Sequence, residues 1–204
     1  MARTAKPKIY PRKQPQQARS QTTVNAILQA ATRVLTKESL AGFNTNRVAE
    51  VAGISVGSLY QYFPNKDALV TALLVAEHQS LTERYEALAD QLVGVDARTS
   101  LRAVVALAIE QQFANPVLAS ALDHEEARLP LRQMLLPADQ QLMRTIAAIF
   151  RPHFPDLSFD ELQDCMTIAK ALVESAADDA KAPPANLSDR IYRAVAGYLG
   201  FNDR

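Results

Sequence analysis

Apolar residues recur at steps of three and four along most of this chain. From about Ser20 to Thr36 this spacing places the apolar side chains on one stripe of a helix. No run alternates between apolar and polar residues as a half-buried strand does. The pattern therefore predicts an all-α fold. Helices are predicted over about 20–36, from Asn44 or Thr45 to Gly53, and over about 56–63, 66–93, 98–114, 116–128, 131–150, 159–180 and 187–200.

Glycine, proline and capping residues separate these helices. Gly42 and Gly53 mark the ends of the first two, because glycine takes backbone conformations that other residues avoid. Ser55 and Asn65 can cap free backbone amides at the start of a helix. Pro64 cannot continue a helix from within it. Further breaks fall at Asn115-Pro116, at Pro130, over 151–155 and at Pro183-Pro184.

The composition fits a helical protein with a buried core. Of the 204 residues 48% are hydrophobic and only six are glycine. A chain of this length can hold one large domain, or a small domain joined to a larger one. The single cysteine, Cys165, excludes an internal disulfide and a zinc site built from several cysteines.

The formal net charge of zero conceals two oppositely charged parts. Residues 1–66 carry ten basic and two acidic side chains, a charge of +8, and the remainder carries −8. Residues 1–18 contain three prolines among Lys, Arg and Gln and are predicted to be a flexible basic arm. A cationic head suits a polyanion such as DNA, although a solvated tail beside ordinary surface charge gives the same balance.

The segment from Thr45 to Tyr62 has the spacing of two short helices joined by a tight turn. Ala49 is small where the second helix must approach, and Gly53 can take the left-handed conformation of the turn. The residues predicted to fill the wedge between the helices are Val48, Ala52, Ile54, Leu59 and Phe63. This pattern indicates a helix-turn-helix, whose second helix enters the major groove of DNA.

The second helix of this unit would present small and polar side chains to the groove. The residues offered to DNA are Ser55, Val56, Gly57, Ser58, Tyr60, Gln61 and Tyr62. Gly57 would cost about 1 kcal/mol relative to alanine inside a helix, but its missing side chain would let the backbone approach DNA. For Tyr60 or Tyr62 the alternative is packing in the core of the small domain.

The chain resembles the tetracycline-repressor family (TetR, also TetR/AcrR) of bacterial transcriptional regulators. The resemblance rests on AEVAGIS at 49–55, LYQYFPNK at 59–66 and DAL at 67–69. It implies a DNA-binding head of three helices, dimerisation through the last two long helices and an effector pocket in the larger body. The predicted division is a flexible basic arm over 1–18, a helix-turn-helix DNA-binding domain over 19–66, and a helical ligand-binding and dimerisation domain over 67–204.

The same resemblance implies individual DNA contacts. Thr45 would contact a phosphate at the start of the second helix, and Lys66 would contact another just beyond the third. Contacts to the DNA backbone or to bases are implied for Ser58, Tyr60 and Tyr62, and variable reading positions are Val56, Gly57 and Gln61. Because phosphates would supply much of the affinity, we expect binding to fall steeply with salt. The alternative for Lys66 is a solvated charge.

An effector pocket cannot be located from residue spacing, because several helices would line it. The candidate lining residues are Phe113, Leu118, Met134, Met143, Phe150 and Met166, with Gln111, Gln112, His124 and Arg128 as polar groups. Ordinary core packing is the alternative for each of them.

The last two predicted helices, about 159–180 and 187–200, carry apolar and small residues that suit close helix packing. Packed against their two-fold copies they would form a homodimer, and a symmetric dimer predicts a palindromic operator in double-stranded DNA. Burial inside one subunit would give the same pattern.

Other classes of protein are disfavoured. The acidic run with His124 at 123–126 would point in several directions on a helix, so no metal site is predicted. No nucleophile triad, glycine-rich phosphate loop or paired-carboxylate motif stands out, so neither an enzyme nor a cofactor is predicted. No apolar run approaches the roughly 20 residues of a membrane span, and no secretory signal opens the chain. We expect a cytoplasmic bacterial protein associated with the nucleoid.

The leading hypothesis is a repressor that a small apolar or amphipathic effector releases from a palindromic operator. One alternative is a DNA-binding regulator without a small-molecule effector. The other is a helical enzyme or scaffold whose head no longer binds DNA. The intact Tyr60–Lys66 run and the +8 head argue against this last alternative, whereas only a ligand screen separates the first two.

Overall fold

The computed structural model describes residues 18–179 and 182–200. Over these ranges the chain forms helices and no strand, as the apolar spacing predicts. The helices are α1 (Ala18–Gly42), α2 (Thr45–Ala52), α3 (Val56–Tyr62), α4 (Lys66–Gln91), α5 (Ala97–Ala114), α6 (Pro116–Arg128), α7 (Arg132–Phe150), α8 (Phe159–Asp179) and α9 (Leu187–Tyr198). The prediction of a flexible arm concerns residues that lie almost entirely outside the described ranges.

The end of the first helix differs from its prediction. α1 continues to Gly42 instead of ending near Thr36. Within it Ser39 is not helical and has a φ of 55° and a ψ of −173°. Because residues other than glycine rarely adopt a positive φ, neither the residue type nor the apolar spacing could predict this kink.

The first of two compact units combines the described residues up to Glu77 with Val117–Leu135. Its core contains the apolar stripe of α1, in which Ile27 and Ala31 are fully buried, and α6 contributes Leu118 and Leu122. α6 therefore packs with the helix-turn-helix, although it lies in the range predicted for the larger domain. The functional division of the chain into an arm and two domains stays a prediction.

The second compact unit comprises His78–Pro116 and the described residues from Leu136 onward. In it α5 packs against α8 and α9, which also pack against each other. Arg102 on α5 donates a hydrogen bond to Asp189 on α9 at 2.8 Å, and its guanidinium lies 4.3 Å from the centre of the Tyr192 ring. These polar contacts add to an apolar core shared by the three helices.

Part of each helix that is predicted to form the dimer interface is buried within the subunit. Val173 of α8 and Ile191 and Val195 of α9 are buried in the core of the second unit. Phe159 and Tyr198 remain 57% and 45% exposed. A dimer contact through α8 and α9 would use side chains that this core leaves exposed, and such a dimer stays a prediction.

Candidate nucleic-acid interface

α2 begins and ends with the local geometry that its residues predict. The side chain of Asn44 accepts a hydrogen bond from the backbone N–H of Arg47 at 2.9 Å, so Asn44 caps the helix. Gly53 has a φ of 68°, and the N–H of Ile54 donates to the carbonyl of Ala49 at 3.0 Å. Gly53 thus allows the chain to turn sharply from α2 into α3, because its left-handed conformation costs little without a Cβ.

α3 is capped by Ser55. Its Oγ accepts a hydrogen bond from the backbone N–H of Ser58 at 3.0 Å and lies 2.7 Å from the hydroxyl of Ser58. At the other end the N–H of Phe63 donates to the carbonyl of Leu59 at 2.9 Å. Both serines predicted to meet DNA therefore also shape the start of this helix.

One side of α3 is buried and the other is open. Leu59 is fully buried, and the adjoining Phe63 is 1% exposed. On the open side Val56 and Tyr60 are 37% and 39% exposed, and Gln61 is also exposed. This amphipathic helix has the arrangement of a recognition helix, with a face available to the major groove.

Tyr62 does not belong to the open side. It is half-buried and packs against the core of the first unit. The sequence predicts DNA contacts for both tyrosines, and in the structure Tyr60 is the more exposed of the two. Core packing accounts for part of the Tyr62 side chain.

Gly57 is not required by the packing of the protein itself. A Cβ added there would meet one nearby atom, the Oγ of Ser55 at 3.9 Å, which is ordinary contact distance. The residue lies in α3 and is exposed. Glycine lowers the stability of a helix relative to alanine, so its presence here favours a role in contact with another molecule.

The side chains of Thr45 and Tyr60 connect the start of α2 to the exposed side of α3. The hydroxyl oxygens of the two side chains lie 3.1 Å apart, within hydrogen-bond distance. Thr45 is only 8% exposed. The sequence placed both residues at the DNA surface but could not indicate that they contact each other.

Lys66 lies at the start of α4 and is partly buried. Its Nζ lies 3.5 Å from the carbonyl oxygen of Leu40 and 5.4 Å from the centre of the Phe43 ring. The ammonium group thus helps to hold the end of α1 beside the start of α4. The predicted phosphate contact of Lys66 stays a prediction.

The described part of the helix-turn-helix carries little of the predicted positive charge. Arg47 forms ion pairs with Glu38 at 2.7 Å and with Glu50 at 2.8 Å. Hydrogen bonds with Glu50 and Glu38 raise the pKa of Arg47 above its ordinary value. Six of the ten basic residues of the +8 head precede Ser20, namely Arg3, Lys6, Lys8, Arg12, Lys13 and Arg19.

A second ionic cluster in the first unit was not predicted from the sequence. Arg128 at the end of α6 pairs with Asp67 at 2.6 Å and with Glu125 at 2.5 Å. The Glu125 side chain is 6% exposed. The spacing of Glu125 and Arg128 is compatible with a contact along one helix, but nothing in the sequence indicates that Asp67 joins them.

The candidate effector residues divide between two cores. Leu118 and Met134 belong to the core of the first unit, and His124 on α6 is exposed. The other candidates lie in or against the core of the second unit: Phe113, Met143, Phe150 and Met166. A single cavity lined by all of them stays a prediction.

The described helices carry neither a cluster of metal ligands nor a membrane-spanning segment. No group of three or more His, Cys, Asp or Glu side chains in 18–179 and 182–200 is arranged to hold a metal ion. Within the same ranges no helix is both long and apolar enough to cross a membrane.

Comparison with known proteins assigns the helix-turn-helix to a family. The family model for bacterial regulatory proteins of the tetR family matches residues 27–73. Residues 27–73 therefore match the DNA-binding domain of the TetR family. An uncharacterized HTH-type transcriptional regulator of Mycobacterium tuberculosis is 36% identical over 63 residues. That alignment spans 31% of this chain and 31% of its relative, so the remainder of both chains lies outside it.

Solved structures extend the likeness beyond the DNA-binding head. A TetR-family transcriptional regulator from Streptomyces coelicolor is 21% identical, with a TM-score of 0.65 over 87% of this chain and 98% of the other. The regulator FadR from Bacillus subtilis is 19% identical, with a TM-score of 0.68 over 84% of this chain and 96% of the other. At these identities the likeness shows the fold. The TetR family and these neighbours are transcriptional regulators, which are not enzymes.

Proposed function

We propose that this TetR-family chain is a sequence-specific transcriptional regulator that binds double-stranded DNA through α2 and α3. The observation that carries the proposal is the two-sided α3, in which Leu59 is buried while Val56 and Tyr60 are open. Gly57 lies beside them, and the fold itself leaves space for a Cβ at this position. An α-helix of this kind fits the width of the major groove.

In this proposal two copies of the chain bind a palindromic operator. A two-fold dimer presents two recognition helices to successive major grooves, about one helical turn apart. The exposed aromatic side chains Phe159 and Tyr198 on α8 and α9 support an interface there. Most of the affinity would come from phosphate contacts, with direct readout by Gln61 and apolar contact by Val56.

A small-molecule effector completes the proposed mechanism. FadR from Bacillus subtilis was solved in complex with stearoyl-CoA, and the multidrug binding protein EbrR in complex with imidazole. Both neighbours support a small-molecule effector for this chain, and the acyl chain of stearoyl-CoA supports an apolar or amphipathic one. Such a ligand releases the repressor from DNA if it binds more tightly to a state in which the two heads no longer fit the operator. The regulator would act in the bacterial cytoplasm, on nucleoid DNA.

The experiment that tests the proposal selects duplexes from random DNA with the purified chain. Affinity for the enriched duplex is then measured at two salt concentrations for the wild type, Tyr60→Ala, and Val93→Ala as a control at a position that is 82% exposed. We expect a palindrome, a steep decrease with salt, at least a tenfold loss for Tyr60→Ala and no loss for Val93→Ala. A folded protein that enriches no sequence would contradict the proposal.

Replacing Gly57 by alanine should change stability and DNA affinity in opposite directions. The new methyl group meets no close neighbour, so we expect the free energy of unfolding to increase by up to about 1 kcal/mol. If the backbone of α3 approaches DNA at this point, the affinity should decrease by about tenfold. Urea denaturation and a binding titration measure the two effects.

The matched control for Gly57→Ala is Ser80→Ala, at an exposed position of α4. It also improves helix propensity but should leave DNA affinity unchanged. An unchanged affinity of Gly57→Ala would show that DNA does not come close to the backbone at Gly57.

A further inference from the structure

The hydroxyl groups of Thr45 and Tyr60 form a side-chain contact between α2 and α3. Thr45 is the first residue of α2 and Tyr60 is the fifth residue of α3. Their oxygen atoms lie 3.1 Å apart, and either one can be the donor. The contact thus links the start of one helix of the proposed DNA-binding surface to the middle of the other.

The two residues of this pair differ in their access to a ligand. Thr45 is 8% exposed and its hydroxyl is engaged with Tyr60, whereas Tyr60 is 39% exposed. A phosphate group of DNA can therefore reach the Tyr60 hydroxyl more readily than the Thr45 hydroxyl. The sequence resemblance implied a phosphate contact for Thr45 and a contact to the DNA backbone or to bases for Tyr60, without this difference in access.

The direction of the hydrogen bonds follows from the chemistry of phosphate. Phosphate oxygens of DNA only accept hydrogen bonds, and a tyrosine hydroxyl has a single proton to donate. If Tyr60 donates that proton to a phosphate, its oxygen must accept the hydrogen bond from Thr45. The arrangement is then a chain in which Thr45 donates to Tyr60 and Tyr60 donates to DNA.

We propose that Thr45 is a positioning residue, which orients the Tyr60 hydroxyl toward a DNA phosphate and does not itself contact the DNA. The inference rests on the proposed binding of DNA by α2 and α3. Hydrogen bonds in such a chain polarise one another, so the bond from Thr45 also strengthens the bond from Tyr60 to the phosphate. Removal of either hydroxyl should therefore remove most of the effect of the other.

A double-mutant cycle tests this coupling. The proteins are the full chain as wild type, Thr45→Val, Tyr60→Phe and the double variant, with Thr45→Ser as the variant that keeps the hydroxyl. Affinity is measured for the duplex that the wild type enriches and for a scrambled duplex of equal length. Helical content and the urea midpoint of each variant establish that it is folded, and Thr45→Ala replaces Thr45→Val if the valine variant does not fold.

We expect Thr45→Val and Tyr60→Phe each to lower the affinity about tenfold, and the double variant to lose no more than either single variant. Thr45→Ser should bind like the wild type. Both duplexes should lose affinity by the same factor, because phosphate contacts are independent of sequence. A purely structural role of the pair would change the urea midpoint without this pattern in DNA affinity.

Three results would overturn the inference while the proposed function stands. They are an unchanged affinity of Thr45→Val, losses that multiply to about a hundredfold in the double variant, and a loss confined to the enriched duplex. A folded wild type that binds neither duplex would overturn the proposed function, and the inference with it.

Discussion

Replacing Phe63 by alanine should lower the free energy of unfolding of the first compact unit by about 3–5 kcal/mol. Phe63 is 1% exposed, and its ring belongs to the same core as Leu59 and the apolar stripe of α1. Its removal leaves a cavity that the surrounding helices fill only in part. Urea denaturation followed by far-UV circular dichroism measures the change.

The matched control is Val56→Ala on the same helix. Val56 is 37% exposed, so its truncation should change the free energy of unfolding by no more than about 0.5 kcal/mol. Under the proposed function Val56→Ala acts on DNA recognition, whereas Phe63→Ala acts on folding and abolishes DNA binding as a consequence. Equal midpoints for Phe63→Ala and the wild type would show that Phe63 does not support the core.

Replacing Arg128 by methionine should cost about 2–3 kcal/mol of the free energy of unfolding. Arg128 joins Glu125 on its own helix to Asp67 at the start of α4. The Glu125 side chain is 6% exposed, so without Arg128 a carboxylate is left buried without its cation. The exposure of Arg128 and Asp67, 44% and 39%, keeps the expected cost below that of a fully buried pair.

Two further variants separate this effect from a general loss of packing. Arg128→Met combined with Glu125→Gln should recover part of the stability, because the buried charge is no longer present. Arg132→Met, at an exposed position at the start of α7, should change little. A loss that is the same with and without the Glu125 carboxylate would contradict the ionic explanation.

Features that depend on neighbouring residues could be predicted from the sequence. The cap at Asn44, the turn at Gly53 and the cap at Ser55 are formed by residues three to five positions apart. The start of α6 at Pro116 and the end of α7 at Phe150 also match their predictions. Such features depend on local hydrogen bonds and on the helical repeat, both of which are written in residue type and spacing.

The candidate DNA surface could be predicted as a segment, but its individual roles could not. Spacing predicted that α3 is the recognition helix, yet it could not separate the exposed Tyr60 from the half-buried Tyr62. It also could not indicate that Lys66 lies beside Leu40, 26 residues earlier in the chain. Both features depend on how the helices of the first unit pack around their shared core, which no local pattern reports.

By itself the sequence determined the helical class, the positions of most helices and the helix-turn-helix, since these follow from short-range periodicity and capping. The tertiary structure decided which side chains meet and which remain open. It joined Thr45 to Tyr60 and Asp67 to Arg128, and it buried Ile191 of a helix predicted to form a dimer. The physical reason is that such contacts join residues from 15 to 61 positions apart, whose distances are set by core packing and not by the conformation of the chain between them.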